Sequence, residues 1–237
     1  MKKLSPTAMA TYMACPKKFD YTYNRQITPL ESRWKESLDF GRLIHDVVAN
    51  YYRHVTSDLT PNLIKLNIYA EAKKIIDFNG LTKEDREKVD RHLKVFCEFE
   101  VERIRSGVIS KPLAVEKDIE RAGVHAIVDA LFKHKDGRLI LYDWKTLYGW
   151  YPQLNDGMMI QGAIQKFVTG ADEMNFVFLQ SGTVLPLPED VNMLLVKPIY
   201  YGIKNKHFDR QKGEQCLSCP FNIICRLEEM QVATELI

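Results

Sequence analysis

The sequence predicts a mixed α/β domain on three observations. Apolar residues recur at helical spacing up to about residue 105, a period of two takes over between about 113 and 145, and a further helical stretch closes at Gly170. Helices first, then a hairpin-rich sheet, then a helix packed on it is an α/β order.

The first helix is signalled by Ser5 before Pro6, an N-cap with proline at the first helical position, and should run through Met13. Cys15-Pro16 and an aromatic run (Phe19, Tyr21, Tyr23) follow. Phe40, Leu43, Ile44, Val47, Val48 and Tyr51 form the apolar stripe of a helix over Glu36–Arg53, and two more helices are expected over 62–78 and 83–105. Strands are expected over Leu113–Glu120 and Val124–His134, then an Asp136-Gly137 turn, then a strand over Leu139–Lys145. A helix over Asp156–Val168 ends at Gly170, where a C-cap glycine belongs. Asn175–Leu179 and Met193–Val196 read as further strands, and a loop-rich, cysteine-bearing tail closes the chain.

At 237 residues, 46% hydrophobic and 27% charged, the chain has the composition of a soluble globular domain. No apolar stretch approaches the roughly 20 residues that span a bilayer, so no membrane role is expected. The opening Met1-Lys2-Lys3-Leu4-Ser5-Pro6-Thr7 has no apolar run behind its lysines, which predicts no secretory signal and a reducing, cytoplasmic or otherwise intracellular setting, nucleoid or viral context included. Five cysteines there fit metal ligation or buried thiols better than disulfides. The net charge of +2 neither demands nor excludes a polyanion. Lys197, Lys204, Lys206, Arg210, Lys212 and Arg226 against Asp209 and Glu214 could contact phosphates, although a solvated surface explains them as well.

The strongest chemical signal is Asp143-Trp144-Lys145 at the end of an apolar strand. Alternation puts Asp143 and Lys145 on one face and Trp144 on the other. On the neighbouring strand Val124, Ala126, Val128 and Ala130 read as one apolar row, with Asp129 on the opposite face and near Asp143 across the hairpin. Two such carboxylates repel unless a cation lies between them, and oxygen ligands suit Mg²⁺ or Mn²⁺. A lysine beside that ion could position a water or neutralise a phosphate. A strand D-x-K triplet is common as a surface ion pair; the apolar strand and the acid across the turn raise its weight. Glu116 reads as an exposed strand glutamate, with a further acid of the site as its alternative.

Cys216-x2-Cys219-x5-Cys225, with Pro220 enforcing a turn, suits a metal centre that lacks one ligand. Cys97, between Phe96 and Phe99 in a helix, is expected as a buried free thiol. Cys15, in a loop before Pro16, is the expected fourth ligand, and would clasp the two chain ends together. Spacing alone does not separate zinc from an iron–sulfur cluster.

Gly123-Val124-His125-Ala126-Ile127-Val128-Asp129 and Leu139-Ile140-Leu141-Tyr142-Asp143-Trp144-Lys145-Thr146 resemble the second and third motifs of the PD-(D/E)XK nuclease superfamily, in its RecB-like exonuclease branch. Gly41-Arg42-Leu43-Ile44-His45 resembles that family's helical G-x-x-x-H. Gln161 matches the glutamine of its Q-x-x-x-Y motif, while Gln165 stands where the tyrosine would be. The one-plus-three cysteine pattern and Leu4-Ser5-Pro6 through Cys15-Pro16-Lys17-Lys18-Phe19 are similar to the 4Fe–4S nucleases of that branch, among them the CRISPR adaptation-associated exonucleases and the C-terminal nuclease of AddB.

The resemblance implies a restriction-endonuclease-like core over a single nuclease domain, 1–237. Within it, 1–30 and 197–237 would form the iron–sulfur clasp, 31–110 a helical region and 111–196 the catalytic sheet and helix. It implies His45, Asp129 and Asp143 as ligands of Mg²⁺ or Mn²⁺, Lys145 positioning water, Gln161 orienting that lysine or the substrate, and Cys15, Cys216, Cys219 and Cys225 holding a 4Fe–4S cluster. The implied activity is exonucleolytic hydrolysis of single-stranded or frayed DNA. Two other readings compete: a non-catalytic nucleic-acid-binding subunit with protein partners in an adaptation or recombination complex, and a zinc protein of unrelated chemistry. Retention of His45, Asp129, Asp143 and Lys145 together speaks against a dead site. No Walker-type loop is present, so no helicase activity is expected.

Overall fold

The computed structural model describes residues 4–28, 35–55, 59–146 and 152–235, with side chains except at 35–39 and 231–235. The expected boundary near residue 30 and the opening Met1–Lys3 lie outside them. Helix α1 (Pro6–Ala14) is capped by Ser5, whose hydroxyl accepts from Ala8 N at 3.2 Å. A short α2 (Pro16–Phe19) runs into a π-helical turn, Asp20–Asn24. Then come α3 (Lys35–His54), α4 (Pro61–Ile75) and α5 (Lys83–Arg105). The sheet follows as β1 (Ala114–Arg121), β2 (Val124–Lys133) and β3 (Leu139–Lys145). Helix α6 (Asp156–Thr169) ends on Gly170 in the left-handed conformation and crosses to β4 (Glu173–Phe178) and β5 (Thr183–Pro186). Helix α7 (Met193–Lys204), a 3₁₀ turn at Glu214–Cys216 and α8 (Asn222–Glu235) are the last described elements.

The sheet order is β1-β2-β3-β4-β5, antiparallel except for β3 against β4. Helices α3, α4 and α5 cover one face. Ile44, Val48, Tyr52, Leu93 and Phe96 pack there against Phe132, Tyr142 and Trp144. On the other face α6, with α1 and α7 beside it, meets Val124, Ala126, Leu141 and Phe176. The central strand β3 is therefore buried on both sides, which is why its first four residues, Leu139–Tyr142, read as a continuous apolar run. No described helix is long and apolar enough to cross a membrane.

Three expectations are corrected here. Met193–Val196 opens α7 instead of forming a strand: Asn192 caps it by accepting from Leu194 N at 2.8 Å, and Val196 and Ile199 supply an i, i+3 buried stripe. A four-residue apolar run carries too little periodicity to distinguish the two. The tail is not merely loop-rich, since Cys225 lies in the first turn of α8. The β2 apolar row breaks at Asp129. Val124, Ala126 and Val128 face the α6 side, whereas Ala130 and Phe132 face the α3–α5 side. The strand pairs Val115 with Ala130 and Lys117 with Val128, and the opposed Glu116 carries a positive φ of 44°.

Trp144, 2% exposed, is the keystone of the α3–α5 face, stacked on Tyr142 and Tyr52 and edge-on to Phe96 and Phe99. Beside this cluster the fully buried Glu100–Arg103 pair is satisfied by hydroxyls of Tyr51 and Tyr52 and by carbonyls of Ile109 and Ser110. Trp144→Ala is expected to cost about 3–5 kcal/mol in urea unfolding, as for large aromatic truncations in cores. A loss under about 1 kcal/mol, the scale of a surface substitution, would contradict that role.

Candidate active site

The site lies where β2, β3, α3 and α6 meet. Alternation sends Trp144 into the aromatic cluster and leaves Asp143 and Lys145 facing α6. Asp129 stands beside them, its Oδ2 accepting from Trp144 N at 2.8 Å. Helix α3 comes close because position 41 is glycine; a Cβ there would lie 3.0 Å from Thr146 Oγ1. One turn further on, His45 reaches the end of β3. Its Nε2 lies 3.0 Å from the Trp144 carbonyl, which can only accept, so Nε2 carries the proton. Its Nδ1 then faces Asp129 Oδ2 at 3.6 Å and Glu116 Oε1 at 3.7 Å. A histidine whose second nitrogen is fixed by a carbonyl is oriented as metal-bound histidines are.

The ligand atoms of His45, Glu116 and Asp129 all lie within 4.8 Å of one another, a trio that could hold a metal ion. The expected trio had Asp143 in place of Glu116. Asp143 stands beside this trio: Oδ2 accepts from Gln161 Nε2 at 2.6 Å and Gln165 Nε2 at 3.0 Å, and Oδ1 pairs with the Lys145 ammonium. Lys145 also donates to Gln161 Oε1 at 2.9 Å. Thus Gln161 bridges the lysine and the acid with the two ends of one amide. Gln165, at the position of the missing tyrosine, holds the same carboxylate and the Ile127 carbonyl, the latter at 3.1 Å.

Glu116 is the residue that sequence reasoning set aside as exposed. Its left-handed backbone is what turns the carboxylate towards His45, and a non-glycine residue there costs about 1–2 kcal/mol. Its signal in the sequence was only its place opposite Asp129 in the β1–β2 register.

The electrostatics follow from crowding. Burial, then the charge of Asp143, pushes the Asp129 carboxyl up to about 7. Burial alone would lower the His45 imidazolium, but the nearby Glu116 carboxylate and the charges of Asp129 and Asp143 outweigh it and hold it up at about 9. Asp129 in its protonated form favours folding below its unfolded pKa, and that contribution is lost as pH rises through 7. Charged His45 contributes fully below about 6.5 and loses its contribution as pH rises through 9. Metal-free protein should therefore melt at progressively lower temperature between pH 6 and pH 9. Mn²⁺ should reverse the fall, and Asp129→Asn should flatten it and raise the melting temperature at pH 8. Scanning calorimetry in chelator decides this, and a wild-type melting temperature constant over that range would refute it.

At the chain ends, Cys15, Cys216, Cys219 and Cys225 line one cavity with Tyr21 and Arg210, while Cys97 is buried in α5. Glu228 of α8 ties the two ends together, accepting from Tyr21 at 2.8 Å and pairing with Lys17 at 3.0 Å and Arg25 at 2.5 Å.

The family model described as the PD-(D/E)XK nuclease superfamily matches residues 3–165. No curated protein matches the chain. Among solved structures, that of SSO0001 is similar over 82% of this chain and 98% of its own, with 12% identity and a TM-score of 0.39. With the family model covering more than half its length, the chain belongs to the PD-(D/E)XK nuclease superfamily.

Proposed function

We propose that this protein is a Mg²⁺- or Mn²⁺-dependent DNA nuclease of the RecB-like branch, an exonuclease acting on single-stranded or frayed ends within the cell. The observation that carries the reading is the convergence of Asp129, Asp143, His45, Glu116 and Lys145 in one half-buried cleft. The His45, Glu116 and Asp129 donor set fits a hard divalent cation, and Asp143 adjoins it. Bound there, such an ion would acidify a water and offset charge on a scissile phosphate. Lys145, oriented by Gln161 and Asp143, is placed to hold the attacking water or a non-bridging oxygen. Gln161 and Gln165 fix Asp143 so that it keeps one geometry while the substrate enters.

The four-cysteine cavity supports a 4Fe–4S cluster held by Cys15, Cys216, Cys219 and Cys225. Hydrolysis needs no electron transfer, so the cluster's role here is architectural.

Digestion of end-labelled single-stranded DNA with Mn²⁺ tests the enzyme. Asp143→Ala should lower the rate at least about a hundredfold, since each ~1.4 kcal/mol of lost stabilisation is tenfold. Glu102→Ala, on an exposed turn of α5, should leave it unchanged. Equal rates in both preparations would mean a contaminant, and DNA binding without cleavage would favour the non-catalytic subunit. Blocking the 5′ or 3′ end should abolish digestion from that end. Cys219→Ala should lower iron content and melting temperature together; unchanged values would remove Cys219 from the ligand set.

A further inference from the structure

Among the described residues, two buried polar atoms in the wall of the thiol cavity have no hydrogen-bond partner. One is Arg210 Nε, whose residue faces the thiol groups of Cys225 and Cys216 while its Nη1 pairs with Glu229. The other is Asn222 Oδ1. Both residues line the cavity alongside the four cysteines. A buried guanidinium N–H left unmade is costly, and two orphans in one small cavity point to a missing partner rather than to two accidents. The two ends of an asparagine amide are nearly equal in shape, so half a turn presents Nδ2–H where Oδ1 now stands. Both residues can then donate to an electron-rich acceptor in the cavity, and sulfur bound to metal is such an acceptor.

We propose that Arg210 and Asn222 are outer-sphere positioning residues of the metal–sulfur group, each donating an N–H to a thiolate or sulfide sulfur. This rests on the iron–sulfur reading of the four cysteines. Four thiolates brought together carry concentrated negative charge, and among the cations of the cavity wall Lys17 is committed to Glu228. Arg210 is held by Glu229 at one nitrogen, which orients the guanidinium and leaves Nε for sulfur. Hydrogen bonds to cluster sulfur stabilise the more negative, reduced state and so raise the reduction potential. Asn222 opens the helical turn that bears Cys225, so its amide moves with that ligand.

The test compares the anaerobically purified full chain with Arg210→Gln, Asn222→Ala and Arg210→Lys. Iron and sulfide content, midpoint potential and the rate of bleaching in air are measured. Arg210→Gln and Asn222→Ala should keep wild-type iron yet show a more negative midpoint and bleach several-fold faster. Arg210→Lys, which retains the charge, should recover part of the shift. Midpoints equal to wild type in both variants at full iron content overturn the proposal. If Arg210→Gln cannot be loaded, Asn222→Ala decides alone, and an unchanged midpoint there overturns it. A wild-type chain that purifies colourless with zinc sinks the cluster reading itself, before any variant is compared.

Discussion

Asp129 and Asp143 lie close together just past the paired stretch of β2 and β3, both buried from water. Two ionised carboxylates so placed are unfavourable, and much of the surrounding structure is a response to that repulsion. Lys145 sits against Asp143, two glutamines donate to it, and His45 turns a nitrogen towards Asp129. Glu116 adds a third acid and makes the crowding worse, on a backbone held in a left-handed conformation. A site that concentrates negative charge at the expense of its own stability is one organised for a cation.

Holding such a site requires a rigid frame, and the frame is the opposite face of the same strands. Trp144 lies between Asp143 and Lys145 in sequence and on the other side of the sheet, locked among Tyr52, Phe96, Phe99 and Tyr142. With that residue fixed, its two neighbours have little freedom in where their side chains emerge. Gly41 lets α3 come near enough for His45 to reach the Trp144 carbonyl, and α6 presents Gln161 and Gln165 one turn apart. Preorganisation of this kind, in packed elements rather than loops, holds catalytic groups close to their working geometry.

The chain ends are joined by a second, independent device. Glu228 gathers Tyr21, Lys17 and Arg25, and the cysteines from both ends line one cavity beneath them. Helix α1 packs on α6, the helix that bears Gln161 and Gln165, so the clasp braces the layer behind the active site without entering it.

Much of this was legible in the sequence. The Ser5-Pro6 cap, the β3 run ending in Asp-Trp-Lys and Gly170 at the close of α6 each specify local backbone, and the structure has them within a residue or so. Local interactions decided those features: caps, turn residues and side-chain periodicity act over a few residues. What the sequence could not decide were the features set by packing. Met193–Val196 is too short to show a period and became helix once Asn192 capped it. The side-chain row of β2 changes faces at Asp129, and Glu116 points inward, because the two strands distort together there. Gln165 replaces a tyrosine yet still reaches Asp143, a contact that depends on the distance between α6 and the sheet. Sequence spacing thus determined the elements and the types of chemistry available. The three-dimensional packing alone determined which acids share the cleft, since that depends on strand register and helix approach between residues far apart in the chain.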